Sequence, residues 1–336
     1  MFLGEDEINN PENNFELFWN DFDKHYGLFE ARNWDWDSIY NQYRSQVNSS
    51  TTDDELWNIF KEMVTYLDDS HTGISRNPTN EDLFFWSGSE VNDIVKQEFS
   101  IKLLKSKYLE NVVHFDGDEN VPGDDGYFYG KVKNKNIGYI YLQNIDLSGS
   151  ADIFDDILNQ IGSYDAIIFD IRNNEGGTDI YAEEIAGRFA DSEHFIYTVQ
   201  ERNGPNHTDF TEKKKFFSKP IGANNYSKPV ILLTDQITVS AADIFTLHMK
   251  SFPKVTQIGS TTAGDYSDVS MLRFLPNGWV YHYSIMMYLL PNGESLDGIG
   301  SIPDIYIKNT ITDIQNEDDK VVERAIQYLF DEYGIN

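Results

Sequence analysis

The stretch from Lys228 to Gly264, KPVILLTDQITVSAADIFTLHMKSFPKVTQIGSTTAG, constrains the fold more than any other part of the chain. Val230 to Leu233 is a short apolar run behind Pro229 and predicts a buried strand. A polar turn from Thr234 to Thr238 follows, and then Ala241, Ala242, Ile244, Phe245 and Leu247 recur with the period of a helix packed back on a sheet. Ser240 is thereby set at a strand-turn-helix junction, where backbone N–H groups lack partners and the peptide dipoles leave partial positive charge. A serine there can attack a carbonyl while the amide of Ala241 helps hold the developing oxyanion. The same residues also read as a helix cap, with Ser240 and Asp243 at the spacing of a capping box. This stretch alone leaves both readings open.

The preceding chain supplies helices first and strands later. Phe15, Phe18, Trp19, Phe22, Tyr26 and Phe29 recur at helical spacing and predict a buried stripe. The segment ARNWDWDSIYNQYRSQV predicts a second helix, and Thr52 with Glu55 a capping box before a third, whose stripe is Leu56, Ile59, Phe60, Met63, Val64 and Leu67. That helix runs into Ser70-His71-Thr72-Gly73, which predicts a turn at a cleft edge. Residues 1–73 are therefore expected to form a helical domain and 74–135 an irregular and β connecting region. Within the latter, Asp116, Asp118 and Asn120 have calcium-loop spacing, but Val121 stands where the turn needs Gly and Tyr127 where a bidentate Glu is needed. A solvated loop without metal is expected.

From Asn136 the texture changes. IGYIYLQNI reads as a strand, Ile153, Ile157 and Ile161 as a helix, and Ala166 to Ile171 as a buried strand ending in Arg172-Asn173-Asn174-Glu175-Gly176-Gly177. A paired glycine between strand and helix lets a ligand approach the backbone amides closely. Alternating strands and helices predict a parallel α/β core over 136–336, closed by an amphipathic helix through Val321, Val322, Ala325, Ile326, Leu329 and Phe330.

Composition removes several classes of function. The formal charge of −30 disfavours nucleic acid and anionic membrane as partners. The absence of cysteine removes disulfides, Cys-ligated zinc and thiol catalysis. No apolar run is long enough for a transmembrane helix, and MFLGEDEINNPENN lacks the pattern of a signal peptide. The expectation is a cytoplasmic protein or one whose leader has been trimmed.

A nucleophilic Ser240 needs a group that takes its proton. His248 and Lys250 follow on the same helix, about 12–15 Å down the axis, too far to serve. His25, His114, His194 and His207 have no supporting context, and His282 alternates within a strand, which leaves His71 as the best remaining candidate.

The blocks DDSHTG (68–73), IGYIYLQNI (137–145), IIFDIRNNEGG (167–177), PVILLTDQITVSAADIF (229–245), QIGSTTAG (257–264) and SLDGIGSIPDI (295–305) together resemble the C-terminal processing, or tail-specific, serine peptidase family. They occur in family order and cover most of the chain. The Ser/Lys branch of that family carries a Lys directly after the last Gly of the GxTxGKG block, whereas here Gly264 is followed by Asp265. The sequence is more similar to the branch typified by the tricorn core. The resemblance implies a Clp protease/crotonase-like α/β core with a helical N-terminal domain, no cofactor, and a peptide or unfolded-protein substrate. It implies Ser240 as nucleophile, His71 as general base, Asp297 as the acid that orients it and Ser70 as the link into that acid. Ala241 with Gly176 or Gly177 would form the oxyanion hole.

Two departures bear on that expectation. The acid is usually Glu, so Asp297 is one methylene short and Glu294 is the alternative. Residues 74–135 show no recognisable PDZ-like carboxylate-binding loop, the feature on which an expectation of substrate C-terminus recognition would rest. A location outside the cytoplasm is what the family suggests. A non-catalytic ligand-binding protein on the same architecture and a hydrolase of small esters or cyclic peptides are the competing functional readings.

Overall fold

Asn10 begins the first helix by accepting the amide of Asn13 at 2.8 Å, and Pro11 occupies the first helical position, where a missing N–H costs nothing. Helix α1 (Pro11–His25) buries Phe15, Phe18 and Phe22. The second helix expected from sequence is divided. Asn33 adopts a left-handed conformation (φ 54°) and ends α2 (Phe29–Arg32), after which Asp35 caps α3 (Trp36–Tyr43) by accepting the Ser38 amide. Helix α4 (Asp53–Leu67) carries the Thr52/Glu55 capping box and buries the six residues of the expected stripe.

The computed structural model describes residues 8–77, 79, 84–87, 94–117 and 126–336, which divide into two units. The first gathers the described residues of Met1–Glu90, Tyr197–Lys215 and Asp265–Gly298. Its core joins the stripes of α1, α3 and α4 to Leu275, Trp279, Tyr281 and Tyr283. Phe18 and Phe60 stack at 4.2 Å in that core, and burying each such ring contributes about 1.5–3 kcal/mol. The buried carboxylate of Asp21 is satisfied by the hydroxyls of Tyr281 and Tyr283, both at 2.9 Å. A four-stranded antiparallel sheet runs in the order Arg273–Phe274, Val280–His282, Gly73–Ser75, Phe85–Trp86, with Gly73 opposite His282.

The second unit comprises the described residues of Val91–Ile196, Phe216–Gly264 and Ile299–Asn336. Its seven strands are β1 (Leu109–His114), β2 (Tyr127–Val132), β3 (Ile137–Leu142), β4 (Ala166–Asp170), β5 (Val230–Thr234), β6 (Val255–Gly259) and β7 (Ile305–Tyr306). They lie side by side in the order β7-β6-β5-β4-β3-β2-β1. Pairing is parallel from β3 through β7, as the alternation of strands and helices predicts, and antiparallel between β1, β2 and β3. Every residue of β3, β4 and β5 is buried, which is why those runs are apolar without alternation. Helices α5 (Ile153–Ile161), α6 (Asp179–Gly187) and α7 (Ala241–Lys250) follow β3, β4 and β5. Past the short α8 (Ile311–Gln315), α9 (Lys320–Tyr333) packs Val321, Val322, Ala325 and Leu329 into a core with Ile168, Ile231, Leu233 and Ile258.

The calcium-loop positions Asp118, Asn120 and Val121 lie outside the described residues. Among the described residues no helix is long and apolar enough to cross a membrane, and no three His, Asp or Glu residues are arranged to hold a metal ion.

Candidate active site

The turn that carries Ser240 is built by a buried carboxylate. After β5, Asp235 accepts the amides of Ile237 (2.9 Å) and Thr238 (3.1 Å) through one oxygen and that of Asn173 (2.9 Å) through the other. Thr238 donates its hydroxyl to Ile171 O at 3.0 Å, and the Val239 amide donates to Asn174 O at 3.1 Å. The turn is thus tied to the chain leaving β4. Burial pushes the Asp235 carboxyl up to about 6 against the opposing pull of its amide donors.

Ser240 itself has φ 59° and ψ −125°, a region that L-residues avoid at a cost of about 1–3 kcal/mol. The capping box expected of Ser240 and Asp243 is absent. Ser240 makes no side-chain cap, and Asp243 instead accepts the Gly264 amide at 3.1 Å. The reason is the backbone: an N-cap needs extended dihedrals to bring its hydroxyl over the first helical amides, and Ser240 is turned the other way. Its hydroxyl makes no hydrogen bond among the described residues. The structure therefore excludes the helix-cap geometry for Ser240 and leaves its hydroxyl at a strained strand-to-helix turn.

The glycine pair lies in the same unit. Asn174 bridges it to β3, donating to Leu142 O and accepting the Gly176 amide, each at 2.9 Å. Gly176 has φ 92°, and a Cβ there would lie 2.7 Å from Ser240 Cβ and 2.8 Å from Val239 O. Gly177 has φ 146°, with a Cβ blocked by the Ile145 carbonyl. Of the three amides expected from sequence, that of Gly176 is held by Asn174, while those of Gly177 and Ala241 make no hydrogen bond among the described residues.

Ser70, His71 and Asp297 belong to the other unit. Helix α4 ends on Asp68 in a left-handed conformation, after which the buried Asp69 accepts the His71 amide (3.0 Å) and the Thr72 hydroxyl (2.8 Å). His71 Nδ1 is buried and makes no hydrogen bond among the described residues. Among the described residues, Asp69, Asp265, Asp268 and His282 each interact electrostatically with His71. Burial holds His282 down to about 4, and a positive charge on His71 pushes the same way.

Asp297 is buried, accepting Arg32 Nε at 2.5 Å and the Tyr266 amide at 3.3 Å. Burial pushes it up to about 7, Arg32 opposing and the carboxylates of Asp265 and Asp69 adding to the rise. The alternative acid, Glu294, is exposed in a turn, where it accepts Asn292 Nδ2 at 2.7 Å. Sequence reasoning missed Arg32, Asp69, Asp235 and Asn174, because nothing in their local context separates them from ordinary polar residues.

Comparison with known proteins bears on the family and the fold. Residues 136–307 match the model of peptidase family S41, and residues 9–65 that of the tricorn protease C1 domain. The carboxyl-terminal-processing protease of Picosynechococcus sp. is 27% identical over 181 residues, which are 52% of this chain and 41% of that protein. The chain spans less than half the length of the curated relatives it matches first. A solved protein of Parabacteroides merdae described as a candidate peptidase superposes with a TM-score of 0.81 at 26% identity, covering 96% of this chain and 97% of that one. Mature CPAF complexed with lactacystin shares the fold, with a TM-score of 0.67 at 12% identity over 95% of this chain and 98% of that one.

Proposed function

Because the chain belongs to peptidase family S41, we propose that it is a serine peptidase that cleaves peptide bonds through an acyl intermediate on Ser240. One observation carries the reading: Ser240 sits in a strained turn at the head of α7 with its hydroxyl uncommitted, in the unit that also holds the uncommitted amides of Gly177 and Ala241. Ser240 Oγ attacks the scissile carbonyl and His71 takes its proton. The two amides receive the oxyanion, where losing one donor costs about 10²–10³ in rate. The protonated His71 then delivers its proton to the leaving amine, and water releases the acyl group by the same route. Asp297, paired with Arg32, and Ser70 complete the constellation.

The substrate is a peptide or an unfolded protein segment, not nucleic acid, and the chemistry needs no cofactor. A location outside the cytoplasm is part of the proposal and is tested by cell fractionation.

The test of the site is reaction with a fluorophosphonate probe and location of the adduct by mass spectrometry. Labelling at Ser240 that disappears in Ser240→Ala and collapses in His71→Ala is the expected result. Folded wild-type protein that takes no label would overturn the reading in favour of a non-catalytic binding protein.

A further inference from the structure

The first unit concentrates one buried guanidinium and three buried carboxylates around the turn that bears His71. Arg32, whose side chain is 4% exposed, uses Nε on Asp297 and one terminal nitrogen on Asp265. Its other terminal nitrogen donates to Asp68 O and, at 3.4 Å, to Leu67 O. Arg32 therefore clamps the last residues of α4, from which the Ser70–His71 turn departs, to the segments that carry Asp265 and Asp297. Asp265 closes the same linkage from the other side, because its second oxygen accepts the Ser70 amide at 3.3 Å. Asp69 completes it by accepting the His71 amide and the Thr72 hydroxyl.

Three carboxylates against one guanidinium leave the cluster short of positive charge. Asp69 is held below the usual carboxylate range, burial opposing but Arg32 and His71 prevailing, while burial raises Asp265. The groups that reach His71 are Asp69 on its own turn, Asp265 and Asp268 on the later segment, and His282 on the strand opposite Gly73. Of the later carboxylates, Asp265 alone is both buried and bonded to the backbone of the turn.

We propose that Asp265 is a positioning residue for His71: fixed by Arg32, it holds the turn through the Ser70 amide and supplies negative charge that steadies the imidazolium. The inference rests on the roles proposed above for Ser240 and His71. Asp265 touches no reacting atom, so its whole effect passes through His71.

The test is the rate of fluorophosphonate labelling at Ser240 in the full chain, for wild type, Asp265→Asn, Asp265→Glu, His71→Ala and the Asp265→Asn/His71→Ala double variant. Asp265→Asn is expected to slow labelling about 10- to 100-fold, the scale of a misplaced catalytic group. Asp265→Glu should recover most of that loss, and the double variant should label no more slowly than His71→Ala. Wild-type labelling by Asp265→Asn overturns the proposal, as does a double variant whose loss is the product of the two single losses. If circular dichroism shows Asp265→Asn unfolded, Asp265→Ser is read against His71→Ala in the same cycle with the same criteria. Wild-type protein that never labels at Ser240 overturns the reading of the site, and this inference falls with it.

Discussion

The carboxylate of Asp235 accepts the backbone amide of Asn173 at 2.9 Å and thereby fastens the turn before Ser240 to the loop of Gly176 and Gly177. One buried side chain sets the relation between the Ser240 turn and the glycine pair.

That carboxyl is raised from 3.8 to about 6 in the fold, so the native state holds its proton more tightly than the unfolded chain does. Its contribution is fully present below the unfolded value and is lost as pH rises through about 6, a swing on the order of 3 kcal/mol. Asp235→Asn removes the titration. Urea unfolding of the two proteins is expected to show the variant gaining on wild type by about that amount between about pH 4 and about pH 7.

The dihedrals of Ser240 separate its backbone from its chemistry. Glycine tolerates φ 59° and ψ −125°, whereas alanine keeps the strain. Ser240→Gly is expected to be more stable than Ser240→Ala by about 1 kcal/mol, while neither takes the fluorophosphonate label. Equal unfolding midpoints would mean that the turn is not strained.

Neither glycine of the pair accepts a side chain. A Cβ on Gly176 meets Ser240 Cβ and Val239 O, and one on Gly177 meets the Ile145 carbonyl. Gly177→Ala should lower the Ser240 labelling rate at least about 100-fold, the scale of a lost oxyanion donor, and Gly176→Ala should lower it by displacing Ser240. A folded Gly177→Ala that labels at the wild-type rate would overturn the oxyanion role proposed for its amide.

His248 lies buried in α7, and burial depresses its imidazole from 6.5 to about 4. The stability this gives is complete above about 6.5 and is lost as pH falls through about 4, some 3 kcal/mol in all. His248→Leu should flatten that limb, so that wild type loses ground to the variant over this range in thermal unfolding.

The capping box of α4 stands apart from the site. Thr52→Ala should destabilise the fold by about 1 kcal/mol and leave labelling unchanged, as measured by urea unfolding alongside the probe.

The sequence by itself determined whatever is periodic or local. The stripes of α1 and α4, the apolar runs of β3 to β5, the Thr52 cap and the closing helix all follow from spacing, because burying one face of an element requires apolar residues at fixed intervals. It also set Ser240 between strand and helix, yet could not tell whether Ser240 caps that helix, since the answer lies in a dihedral angle and in the pairing of Asp243 with Gly264, 21 residues on. The break at Asn33 was hidden for a similar reason, as asparagine is compatible with helix interior and left-handed turn alike. Only the tertiary structure decided the surroundings of His71 and Asp297. Arg32 meets Asp265 and Asp297 across 233 and 265 residues of chain. A buried ion pair of that kind has no period and no local signature; it exists because desolvated charges must find opposite partners wherever the fold brings them.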